Sequence, residues 1–246
     1  LVTMNACQIV LSLGSVVVCA LGGDISGMDP KDATQIQQQL PGVVIGKAEI
    51  PPTTHAAEWL PLRKTSFEYV SPSGKAGDIK LKPTTRSPGS PVGDQSGGWR
   101  MIVSDGLTRY LRPDHLDHQA SIVIPTDVST TNGLLIRLNP PEPLLLDQHH
   151  EDRREMVVKV YDVHEPTVVT HSGSVSTVWT DLGGWRVKTP AGEFDTRLVR
   201  LTYNGSVGPA SVTGSKYTFY AHGIGPVAYT DKRDVSAFLF FNDDTD

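Results

Sequence analysis

From Val43 onward, apolar and polar residues alternate in short runs separated by Gly, Pro, Asn and Ser. Alternation with period two is the mark of strands that bury one face. The runs predict strands at residues 43–45, 66–70, 78–81, 99–103, 120–124, 134–138, 156–161, 174–179, 185–188, 197–203, 216–220, 226–230 and 237–241. The clearest hairpin lies within 185–203. Thr189-Pro190-Ala191-Gly192 places Pro second and Gly fourth in a turn, as a type I turn favours. On its exit strand Val199, Leu201 and Tyr203 share one face, and Leu198, Arg200 and Thr202 share the other. The mixed second face predicts an antiparallel sheet wetted on that side.

No alternation of strands with helices supports a parallel sheet. The expected class is all-β and mainly antiparallel: a curled sheet or half-barrel of many short strands, with one short N-terminal helix at most. That helix is predicted over 30–40, with Asp29 as cap, Pro30 at the first helical position and Asp32 in the first turn. Its glutamines, Gln35, Gln37, Gln38 and Gln39, make it a surface helix. A long Pro-, Ser- and Gly-rich loop is expected at 82–98, and a stiff break at Asn139-Pro140-Pro141-Glu142-Pro143. The resulting organisation is a signal segment at 1–22, a polar segment at 23–58, and one β-rich domain at 59–246.

Residues 1–23 carry no charge, and the apolar density of 9–18 suits the core of a secretory signal. Val18-Cys19-Ala20 and Ala20-Leu21-Gly22 resemble cleavage triplets, although no Lys or Arg precedes the apolar run. A retained anchor, lipidated at Cys19 in one variant, and a buried N-terminal strand or helix are the competing readings. The two cysteines of the chain, Cys7 and Cys19, both fall in this segment. Cleavage would leave a thiol-free chain, which excludes disulfides and thiolate metal sites. The expected location is extracytoplasmic, periplasmic or secreted. A net charge of −5 with scattered Lys and Arg lacks the basic stripe of a nucleic-acid binder, so no nucleic-acid partner is expected.

Three segments together resemble a known group. Trp59-Leu60-Pro61-Leu62, followed by Phe67-Glu68-Tyr69, resembles the opening strand of many exported bacterial β-proteins of unknown function. Val187-Lys188-Thr189-Pro190-Ala191-Gly192-Glu193-Phe194 is similar to their Pro-Ala-Gly-x-Phe hairpin. Tyr217-Thr218-Phe219-Tyr220-Ala221-His222-Gly223-Ile224-Gly225-Pro226-Val227 is similar to their last strand–turn–strand. The chain departs from the pattern at Lys64 and Thr65, where Gly is usual, and at His222; residues 82–152 match weakly. The resemblance implies a curled, distantly lipoprotein-carrier-like sheet and export to the envelope. It brings no catalytic residues with it.

Candidate chemistry is sparse. Asp114-His115-Leu116-Asp117-His118 places two imidazoles and two carboxylates within reach of one metal ion, if the stretch is a loop or a helical turn. A solvated polar loop after Pro113 is the preferred reading. His149 and His150, in the mixed-charge run 147–155, could also supply ligands, but an exposed turn leading into the strand at 156–161 is preferred there. No Gly-x-Ser-x-Gly elbow is present, and Gly97-Gly98 and Gly183-Gly184 lack a Walker lysine. The leading expectation is an exported binding or envelope-associated protein holding lipid or another apolar ligand on a concave sheet face, with no cofactor. Trp59, Phe67, Tyr69, Trp99, Trp179, Trp185, Tyr203, Tyr217 and Phe219 are the aromatics expected to fill core or groove. The alternatives are an extracytoplasmic metal-dependent hydrolase using His115/His118 or His149/His150, and a structural module that recruits partners through a sheet edge.

Overall fold

A computed structural model describes residues 7–10, 25–50, 55–71, 74–84, 98–104, 106–116, 119–146 and 151–237. Its elements in chain order begin with β1 (Cys7–Val10), α1 (Pro30–Gln39), β2 (Val44–Lys47) and α2 (Ala56–Trp59). Next come β3 (Thr65–Val70), β4 (Ala76–Thr84), β5 (Gly98–Val103), β6 (Leu107–Leu116), β7 (Gln119–Ser129) and β8 (Leu134–Leu146). The chain finishes with β9 (Glu151–Asp162), β10 (Val169–Thr189), β11 (Gly192–Val207), β12 (Ala210–Ala221) and β13 (Gly225–Ala237). From β3 to β13, eleven strands pair each with the next, all antiparallel, in a curled half-barrel. β2 pairs with the second half of β10. β1 is antiparallel to both β13 and β3, and lies between the two edges of the half-barrel.

The hairpin at Thr189–Gly192 forms as its turn residues predict, with Thr189 opposite Gly192 and Val187 opposite Phe194. The runs at 174–179 and 185–188 are one 21-residue strand, β10, whose register shifts between Asp181 and Gly184. At this irregularity Gly183 has φ 82°. A side chain on Gly184 would overlap the carbonyl of Ala48, so the glycine pair lets the β2 segment close on β10.

Both faces of the sheet are covered near β11. On the outside, α1 packs Ile36 and Leu40 against Leu198 and Phe219. Asp29 caps the helix by accepting the Lys31 amide at 2.9 Å. Asp32, on a helix expected to lie at the surface, is 1 % exposed. It accepts from Arg200 Nη1 at 2.8 and 2.9 Å and from the Tyr217 hydroxyl at 2.7 Å. The face carrying Arg200 is therefore roofed by α1 at this point, because the guanidinium finds its partner in the helix. On the inside, α2 and its flanks plug the lumen. Ala56, Trp59 and Leu60 pack with Leu81, Leu111, Ile122, Ile124, Leu145, Trp179, Val199 and Tyr220.

Elsewhere the outer surface is charged, with Glu151, Arg153, Glu155 and Lys159 all exposed. That is the reverse of a lipid-facing barrel, whose outward positions are apolar. No described helix is long and apolar enough to cross a membrane.

Several expectations change. β6 is missing from the strands that the sequence predicts, because Pro113 and the polar residues around it look like a loop. It runs to Leu116, with His115 opposite Ala120. The Asn139–Pro143 break lies inside β8, and the Asn139–Pro140 peptide bond is cis. Of the expected loop at 82–98, residues 82–84 belong to β4 and Gly98 opens β5; residues 85–97 lie outside the described residues. β13 reaches Ala237, and the remainder of the predicted strand at 237–241 lies outside the described residues. Trp59 belongs to a one-turn helix and not to an opening strand. Of the segment 1–24, Cys7–Val10 alone is described.

Candidate functional site

The strongest concentration of chemistry lies inside the half-barrel, at positions whose strand alternation turns them inward. Across β11, β12 and β13 the register sets Leu201 beside Lys216 and Lys216 beside Asp231. Across β6 and β7 it sets Arg109 opposite Asp127. Glu142 on β8 completes the group. Two cations and three carboxylates thus share one lumen.

Arg109 is buried, at 7 % exposure, as is Asp231 at 5 %. Its guanidinium lies 3.6 Å from Asp127 Oδ2 and 3.6 Å from Glu142 Oε1. These are ion-pair distances too long for good hydrogen bonds. Arg109 Nη1 and Asp127 Oδ1 have no hydrogen-bond partner among the described residues. Burial alone would weaken the Arg109 charge, but the fields of Asp127 and Glu142 outweigh it and hold the proton more tightly than usual. Asp231 accepts from the Tyr203 hydroxyl at 2.7 Å. The Tyr220 hydroxyl is pushed well above its ordinary value by burial, so it stays a neutral donor.

Lys216 behaves oppositely to Arg109. Burial, reinforced by the Arg109 cation, lowers its ammonium pKa from 10.5 to about 8, although Glu142, Asp231 and Asp127 pull the other way. Its side chain makes no hydrogen bond or ion pair among the described residues. A lysine is the residue type that yields its proton in such a place, whereas an arginine does not.

Beside Lys216 is a cavity of about 50 Å³. Its wall is mainly apolar, from Leu60, Ile79, Met101, Val103, Leu107 and Tyr229, and Arg109, Lys216 and Asp231 are among its polar groups. The lining comes from β4–β6 on one flank and β12–β13 on the other, where the edges of the half-barrel face each other. A wider cleft of about 410 Å³ lies between α1 and Lys232, but it is open to solvent and lined by Pro30, Lys31, Thr34, Gln35 and Gln38.

A second structural knot joins two of the sequence motifs. α2 sits on the β12–β13 turn: the Gly223 amide donates to the Glu58 carbonyl at 2.6 Å, and Arg63 Nη2 donates to the Gly223 carbonyl at 3.0 Å. His222 stacks edge-on against Trp59 with centroids 5.5 Å apart, and its Nε2 is 3.7 Å from Glu58. Gly223, at φ 71°, supplies the left-handed corner.

Of the residues singled out for metal chemistry, His115 alone falls among the described residues. His115 is placed on β6 by its backbone, and His118, His149 and His150 lie outside the described residues. Among the described residues no group of three or more His, Cys, Asp or Glu is arranged to hold a metal ion. Of the nine aromatics, Trp59, Phe67, Tyr69, Trp179, Trp185, Tyr217 and Phe219 are buried, and none of the nine lines the cavity. Sequence reasoning missed Arg109, Asp127, Glu142, Lys216 and Asp231. The available signal was a charged residue at an inward register position, as at Lys216 between Leu201 and Asp231, and seeing it requires knowing which face is inside.

These features define a class: an antiparallel half-barrel plugged by a helical turn, with a charged group buried beside a small apolar cavity. No protein-family model, curated protein or solved structure matches the chain.

Proposed function

We propose that the protein is an exported, envelope-associated β half-barrel that binds a small, largely apolar ligand in the lumen beside Lys216. The observation that carries this reading is the mainly apolar cavity on the concave face, with a few polar groups, among them Arg109, Lys216 and Asp231, in its wall. That wall chemistry is typical of ligand pockets. The volume sets the size of the ligand. A water needs roughly 10–15 Å³ on this measure, so about 50 Å³ takes a few waters, a molecule of a few heavy atoms or the tip of an acyl chain. A whole lipid would have to displace the Trp59–Leu60 plug.

Export is supported by the uncharged apolar segment at 1–23 and by the resemblance to exported β-proteins. Two measurements test the reading. Native mass spectrometry after gentle extraction should show a small apolar molecule retained by the protein, and N-terminal sequencing of envelope fractions should show a chain beginning near residue 21 or 23. A protein that stays in the cytosol with its first residues intact, and that binds no short alcohol at millimolar concentration, would overturn it.

A second reading, a structural module that recruits a partner strand, draws support from the two half-barrel edges. Among the described residues β3 and β13 have no ladder between them and are bridged by the four residues of β1. Extended segments add readily to such edges.

A further inference from the structure

We propose that the Lys216 amine is a covalent capture point for a short apolar aldehyde, held as a Schiff base inside the cavity. The inference rests on the pocket reading above and names the class of ligand.

Three features of the geometry carry it. Lys216 lines the cavity and makes no ion pair or hydrogen bond there among the described residues, so no partner must be displaced before the amine can attack. The rest of the wall is mainly aliphatic and aromatic, with Ile79, Met101, Val103, Leu107 and Tyr229, which suits an alkyl chain. The charged groups acting on the amine come from the adjacent strand β13, with Asp231, and from three strands elsewhere in the sheet: Arg109 on β6, Asp127 on β7 and Glu142 on β8. The carboxylates outnumber the one fixed cation. A free anionic ligand is therefore poorly matched to the site, whereas a neutral carbonyl enters without a charge penalty. The iminium it forms would sit near three carboxylates.

The amine is also prepared for the step. Burial and Arg109 lower the ammonium pKa to about 8, so a useful fraction is neutral near physiological pH, as nucleophilic lysines require. The nitrogen lone pair attacks the carbonyl carbon and a C–N bond forms. The carbonyl electron pair takes up a proton to give a carbinolamine, and water then leaves as the C=N bond forms. The balance is one amine and one aldehyde giving one imine and one water, with no oxidant or reductant.

The test uses the full chain with butanal and cyanoborohydride, which reduces the imine to a stable butyl amine located by peptide mapping. Lys80 and Lys188, with side chains 47 % and 64 % exposed, are the internal references. Lys216 should be alkylated at least ten times faster than either at pH 7, and its advantage should shrink above pH 9 as the references also deprotonate. K216M should abolish that product while remaining folded by circular dichroism. Butan-1-ol serves as an unreactive probe of the pocket, read from the Met101 methyl resonance. If butanol shifts Met101 and Lys216 is labelled preferentially, the proposal stands. If butanol shifts Met101 but Lys216 is labelled no faster than Lys80 and Lys188, covalent capture is wrong and the pocket survives. If neither occurs, the pocket reading fails and takes this inference with it.

Discussion

Replacing Lys216 by Met should make the protein more stable at neutral pH. The lysine is charged there in both states, but only the folded state holds the charge in a poorly solvated lumen beside Arg109. The gap between 10.5 in the unfolded chain and about 8 in the folded one, at about 1.4 kcal/mol per unit, sets a ceiling of about 3 kcal/mol. Partial exposure of the side chain trims that, so about 1–3 kcal/mol is expected. The sign follows from linkage. Between pH 8 and 10.5 the unfolded chain holds more protons than the folded one, so wild-type stability gains with rising pH and the Lys216 penalty fades. Below about 8 the penalty is complete. K216M lacks the titration, and the methionine stem keeps most of the volume. Urea unfolding at pH 7 and pH 10 measures both variants; the midpoint of K216M should lie higher by about 1 M at pH 7, and that lead should shrink to roughly a quarter by pH 10. A K216M midpoint at or below wild type at pH 7, with a gap unchanged at pH 10, would refute the reasoning that the lumen holds Lys216 as a poorly solvated cation.

Other outcomes follow from the fold. Asp32→Ala strips Arg200 and Tyr217 of their shared acceptor beneath α1 and should cost about 3 kcal/mol, against about 1 kcal/mol for Tyr217→Phe; equal losses in urea midpoints would show that the carboxylate is not the clamp. Trp59→Ala should cost about 3–5 kcal/mol by emptying the plug, whereas Trp59→Phe should be milder, because Nε1 has no hydrogen-bond partner among the described residues; a scan in which the two lose equally would argue against a packed lumen. Deleting residues 1–22 should leave cooperative unfolding intact while amides near Val70 and Ala228, which β1 pairs with, exchange faster; unchanged exchange would mean that β1 contributes nothing to the sheet.

The period-two runs made the sheet legible in the sequence, and the turn residues made its corners legible, because both signals are local. Thr189–Gly192 and the Ala221–Gly225 corner fall where Pro and Gly put them. Three things were not legible, each for a nonlocal reason. β6 carries Pro113 in a polar stretch, and only its ladder with β7 makes it a strand. α2 is a single turn with no side-chain capping hydrogen bond, too short to nucleate alone, and it exists because Trp59 and Leu60 have a lumen to fill. Asp32 looks like any first-turn acid in the sequence, since its two partners lie far away on β11 and β12.

The same logic explains why the candidate site escapes notice in the sequence while the histidine clusters attract it. His115 and His118 are close in sequence, and closeness is the signal a binding motif gives. Arg109, Asp127, Glu142, Lys216 and Asp231 are spread along the chain, each on its own strand, and become a group only when the sheet curls. A buried group with two cations and three carboxylates is expensive to desolvate, and aliphatic residues of similar size would pack the lumen at lower cost. Its polarity is also incompletely satisfied: among the described residues Arg109 Nη1 and Asp127 Oδ1 lack partners, and Lys216 gives up affinity for its proton. Packing needs nothing of this kind at the edge of an apolar cavity, whereas binding and holding a small polar-ended molecule does. The α2 plug fills much of the lumen, and the small space beside it that Leu60 lines adjoins the uncommitted amine.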